Sequence, residues 1–140
     1  ALLITACRNT KVYIYQIVEY ETGMKDFIEM EKLALESYGE YGDGDSKEHI
    51  LYMIKDRGIY YWEENIVLLK GLERLSLPEA LHDQNKNLLK YCELRIKSFN
   101  LSYKKINENN NDYDNDIDDL NSQIQDLIVL IKNNSEKQSQ

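Results

Sequence analysis

The sequence predicts an all-α fold, an antiparallel up-and-down bundle of about four long helices. Two observations carry that prediction. Apolar side chains recur at alternating steps of three and four through four successive stretches, a spacing that gathers them on one helical stripe. One Pro and six Gly across 140 residues leave those stretches almost free of helix breakers.

The first stretch reads Tyr13, Ile17, Tyr20, Met24, Phe27, Met30, Ala34, and the second Leu51, Ile54, Gly58, Tyr61, Asn65, Leu68, Leu72, Leu75. The third runs Asn85, Leu89, Cys92, Ile96, Phe99, Tyr103, Ile106, and the fourth Tyr113, Ile117, Leu120, Ile124, Leu127, Ile131. Punctuation falls between them. "GEYGDGDS" ends on Ser46, a good N-cap, although His49 three residues later makes only a partial capping box. "SLPEA" offers Ser76 as a cap and Pro78 for a first helical turn, where its missing donor costs nothing. "NENNND" supplies Asn109 to Asn111, which tolerate left-handed backbone.

Each large seam residue is worth about 1.5–3 kcal/mol when buried, and no helix can bury its stripe alone. Short connections make successive helices antiparallel. A long coiled-coil dimer is the competing arrangement, but the Gly-rich and Asn-rich breaks interrupt its register. The expected organisation is an apolar head at 1–10, either a signal or membrane remnant or the first helix turn, a bundle domain at 11–133 and a disordered tail at 134–140. Asn65 and Asn85, polar residues on apolar seams, are expected to fix register by pairing across helices.

Composition narrows the function. A net charge of −8 argues against nucleic acid and against adsorption of the fold to an anionic membrane surface. Two cysteines are too few for a disulfide framework, and Cys92 within a helical seam reads as a small buried hydrophobe. No apolar run approaches the roughly 20 residues of a membrane span.

Candidate chemistry is sparse. Asp112, Asp114 and Asp116 resemble the start of a calcium loop, but Ile117 and Gln123 stand where that loop needs Gly and Glu. The expectation is an acidic helix start facing the positive end of the helix dipole. His49 and His82 are the only imidazoles, no nucleophile elbow or phosphate loop occurs, and zinc-ligand spacing is missing. No catalytic residue, metal or cofactor is expected. "YYW" differs: Tyr60, Tyr61 and Trp62 fan over about 200° of a helix and cannot all face one stripe. They are the candidate protein-binding residues, since exposed Tyr and Trp are enriched at interfaces. An interaction module should expose Tyr60 and hold no pocket of convergent titratable groups. A stand-alone enzyme should bury His49 or His82 beside a carboxylate.

Two resemblances bear on context. "LITAC" at 3–7 resembles the lipobox of bacterial lipoproteins, which implies that Cys7 becomes the lipid-modified first residue and anchors the protein. "MEKLALESY" (30–38), "IKDRGIYYWEENIVLL" (54–69) and "LPEALHDQNKNLLKYCELRIKSF" (77–99) resemble the soluble helical region that follows the membrane domain of some bacterial rhomboid-family intramembrane serine proteases. That family's catalytic Ser and His lie on membrane helices that do not occur here, so the resemblance implies an appended module without the protease. Both resemblances place the bundle in an aqueous compartment beside a membrane, the periplasm if Cys7 is lipidated. Both also expect apolar sequence upstream of Ala1. The sequence-level reading is thus a non-catalytic, membrane-proximal interaction module.

Overall fold

A computed structural model describes the backbone of residues 2–39 and 44–138, with side chains over 13–37 and 44–138. The fold is all-α, and among the described residues no strand occurs. α1 (Leu2–Gly39) is followed by a second rod made of α2 (Lys47–Tyr52), a π-helical segment (Met53–Ile59) and α3 (Tyr60–Leu72). α4 (Glu79–Glu108), a short 3-10 turn (Asn111–Tyr113) and α5 (Asp114–Gln138) complete the chain.

Cross-helix pairs establish the directions. Along α1, Gly23 abuts Leu72, the Phe27 carbonyl accepts from Asn65, and Ser37 meets Gly58, so numbers rise on one helix as they fall on the other. The same inversion links Asn85 to the Leu69 carbonyl and Phe99 to Gly58. It recurs where Gln84 reaches Ile131 and Ser98 reaches Asn121. The helices therefore pack in chain order, each antiparallel to the one before.

The caps follow local chemistry. Ser46 Oγ accepts from the His49 N–H at 3.1 Å, as an N-cap should. Asn109 ends α4 in the left-handed region at φ 51°, and Asn110 Oδ1 then accepts from the Asp112 N–H. Ser76 does not cap. Its N–H instead donates to Gln16 Oε1, tying the connection to α1, while the Pro78 carbonyl accepts from Leu81 and His82. Asp114, at the acidic start of α5, is paired with Lys105.

The second seam departs from expectation in phase. Ile54, Gly58, Asn65, Leu72 and Leu75 are buried as predicted, but Trp62 and Leu69 take the enclosed positions expected of Tyr61 and Leu68. Gly58, Trp62, Asn65, Leu69 and Leu72 follow one another at steps of four, three, four and three, so behind the π segment the buried stripe is centred between the seam of Tyr61 and Leu68 and its neighbour.

The tail also differs. Residues 134–138, expected disordered, continue α5. Ser135 and Gln138 supply the reason: Gln84 donates to the Ser135 hydroxyl, and Gln138 donates to the Ala80 carbonyl. The polar end is thereby held against the start of α4. At the other end α1 is helical from Leu2 onward, which agrees with the head as the first turn of helix one.

Asn65 and Asn85 each donate to a backbone carbonyl on a neighbouring helix, at 3.2 and 3.0 Å. Their Oδ1 atoms are buried without a donor. Replacing both with Leu removes two cross-helix bonds together with two orphaned acceptors, so stability should change little while register is loosened. Broadened side-chain NMR signals with an unfolding midpoint close to the parent are the expected result.

Candidate functional site

α1 packs on the π segment and α3, α5 packs on α4, and α1 and α5 do not meet among the described residues. The gap between them is a groove of about 500 Å³. Its floor is a second stripe of α4, Gln84, Leu88, Tyr91 and Arg95, one residue out of phase with the Asn85 seam and spaced four, three, four. α1 contributes Tyr20, Met24, Phe27 and Glu31 at the same spacing, and α5 contributes Ile128 and Ile131. Ile28 and Leu35 stand on the rim, Ile28 being 61% exposed.

Beneath the floor lies an aromatic cluster. Trp62 is 0% exposed and meets Tyr91 and Phe99 edge to face, with ring centroids 5.4 and 6.2 Å away. The Arg95 guanidinium carbon sits 5.2 Å from the Tyr91 ring centroid and 5.8 Å from that of Trp62, within cation–π range. Arg95 Nε is buried without an acceptor, and among the described residues no carboxylate comes within ion-pair distance of Arg95. Gln84, 5% exposed, donates through Nε2 to the Ile131 carbonyl and the Ser135 hydroxyl, while its Oε1 has no partner.

Burial governs the protons here. It pushes the Tyr91 hydroxyl well above its ordinary range, and the neighbouring Glu31 carboxylate adds to the rise against the opposing pull of Arg95. Burial, with Glu31 and Glu93 contributing, likewise drives the Cys92 thiol up. Both groups stay protonated near neutral pH and serve neither as base nor as thiolate nucleophile. The consequence for stability has a definite sign. In the unfolded chain a thiol ionises near its ordinary value of 9.0, whereas the folded thiol keeps its proton. Cys92 therefore contributes full stability below about pH 9 and less as pH rises, by up to about 1.4 kcal/mol per pH unit. Tyr91 and Tyr20 add the same trend above their ordinary value of 10.0. Urea midpoints should fall between about pH 9 and 10, and Cys92→Ala should flatten that interval.

The structure separates the residues proposed as a protein-binding patch. Tyr60 is 49% exposed and stands edge-on to the half-buried Tyr61, with centroids 5.3 Å apart. Trp62 is enclosed against Tyr91 and Phe99 and offers no surface to a partner. The Cys7 side chain lies outside the described residues. His49 is exposed and His82 half-buried, each giving its backbone N–H to a helix start. Among the described residues no group of three or more potential metal ligands comes together.

One expectation for a binding module, that no pocket gathers titratable groups, is not met: Glu31, Tyr91 and Arg95 converge in the groove. The sequence signal for it was the 84-88-91-95 stripe, legible as a second face but not as an open one. The chain matches no family model, no curated protein and no solved structure.

Proposed function

We propose that the chain is a non-catalytic helical interaction module held next to a membrane, with the α1–α5 groove as its binding surface. The single supporting observation is the groove itself: three helices line an apolar recess of about 500 Å³ that the bundle leaves open. Binding cavities of this kind are concave, mainly apolar and furnished with few polar groups. The convergent groups favour binding over proton transfer, since Tyr91 and Cys92 hold their protons and Arg95 rests on aromatic rings. Tyr60, exposed on α3, is the contact offered to a protein partner.

The membrane part of the reading rests on the resemblance of "LITAC" to a lipobox and of the bundle to a region appended to rhomboid-family proteins. No helix is long and apolar enough to cross a membrane among the described residues, so attachment would run through Cys7 or through sequence preceding it. In the rhomboid alternative, the chain is part of an intramembrane protease whose catalytic residues lie elsewhere.

Nile red, a neutral apolar dye, should brighten on binding the folded chain and lose that gain in Leu88→Trp, which fills the floor. An unchanged gain in a folded Leu88→Trp protein would contradict the groove as the binding surface. Radioactive palmitate should label the chain expressed with its natural upstream sequence, and Cys7→Ser should abolish the label. Equal labelling of both would remove the lipid anchor from the reading.

A further inference from the structure

We propose that the groove holds a single-chain amphiphile with an anionic head, its apolar chain lying over Leu88 between α1 and α5 and its head against the Arg95 guanidinium. This inference rests on the groove being the binding surface and adds the chemistry of the occupant.

Charge is the first argument. The groove's formally charged side chains are Glu31, Arg95 and Lys132, one negative and two positive, for a local sum of +1 in a chain of net −8. Glu31 opposes an anion, but its carboxylate acts on the Tyr91 hydroxyl and stands outside ion-pair distance of Arg95. Arg95 thus retains a buried donor without an acceptor, in a setting that water solvates poorly. The Arg95 guanidinium lines the groove, so a carboxylate or phosphate oxygen placed there would gain a charge-assisted interaction.

Shape is the second. Arg95 and Gln84 mark the two polar ends, 11 residues apart on α4 and so roughly 16 Å along its axis. Between them run Leu88, Met24, Phe27 and Ile131, with Glu31 beside Tyr91 towards the Arg95 end. An extended acyl chain fits a groove of that span and of about 500 Å³.

The test is calorimetry on the full chain with hexadecanoate, hexadecyl phosphate, hexadecanol and hexadecyltrimethylammonium, each below its micelle concentration. Trp62 is the sole tryptophan and lies against Arg95, so its fluorescence gives an independent reading. Both anions should bind at least tenfold more tightly than the alcohol, and the cation should not bind. The tighter anion then distinguishes a fatty acid from a phosphate-headed lipid. Arg95→Gln should weaken the anions about tenfold and leave the alcohol unaffected, while Arg95→Lys should restore part of the loss. Ile28→Glu, at an exposed rim position with little effect on folding, should also weaken the anions. Equal affinity for hexadecanol and hexadecanoate would overturn the anionic head and leave the groove reading intact. Binding of none of the four would overturn both.

Discussion

Trp62→Ala should lower the free energy of unfolding by about 3–5 kcal/mol, the largest effect expected of any single truncation in this chain. The side chain is fully enclosed and touches the rings of Tyr91 and Phe99 as well as the Arg95 guanidinium, so its loss leaves a cavity where three helices meet. Domains of this size carry roughly 5–15 kcal/mol in all, so the variant should be close to unfolded at growth temperature. Trp62→Phe keeps most of the apolar volume and removes an indole N–H that has no acceptor, and should cost under about 1.5 kcal/mol. Tyr60→Ala, one helical step outside the core, should stay within about 0.5 kcal/mol. Urea denaturation of the three variants checks the ordering, and a Tyr60→Ala loss equal to that of Trp62→Ala would contradict the placement of the aromatic run.

Gly58→Ala should destabilise by about 1–3 kcal/mol even though Ala is worth about 1 kcal/mol more than Gly in a helix. A Cβ at this position would lie 2.5 Å from Phe99 Cε2 and 2.6 Å from Ser37 Oγ. The Phe99 ring is almost wholly buried and pinned by Trp62, so it cannot move aside cheaply. Gly71 offers the control, since nothing lies within 4 Å of a Cβ there and Gly71→Ala should be neutral to stabilising. Thermal melts of both variants, at roughly 3 °C per kcal/mol for a chain of this length, resolve the difference.

These two positions also mark where the sequence was legible and where it was not. Four helices, their antiparallel order and the Asn109 break followed from the alternating apolar steps and the punctuation between them. The π segment was hidden because Ile54 to Gly58 is a good four-residue step and Ile54 to Ile59 an equally apolar five-residue step. Only packing against Phe99 and Ser37 decides between them. The packing of Trp62 with Leu69 and the outward Tyr60 were legible from the 100° step between neighbours, whereas the full enclosure of Trp62 depends on Tyr91 and Phe99 of α4. The tail was misjudged for a different reason: Ser135 and Gln138 bury little apolar area, and their hold on Gln84 and Ala80 depends on α4 lying alongside. The groove was the least accessible feature. Leu88, Tyr91 and Arg95 form a stripe in sequence, but periodicity cannot say whether the facing helix closes on a stripe or stands off from it.

The account depends above all on α1 and α5 standing apart across the groove while α4 and α5 pack tightly. Disulfide trapping in a Cys7→Ser, Cys92→Ala background tests this directly, because a disulfide needs Cα atoms within about 7 Å. The pair Ser98→Cys with Asn121→Cys, whose parent side chains are 3.3 Å apart across α4 and α5, should oxidise readily. The pair Ile28→Cys with Ile128→Cys, which the cross-helix pairs place at about the same height on opposite walls of the groove, should stay reduced under the same conditions. Rapid, complete cross-linking of the second pair would mean that the bundle closes and that no such groove exists.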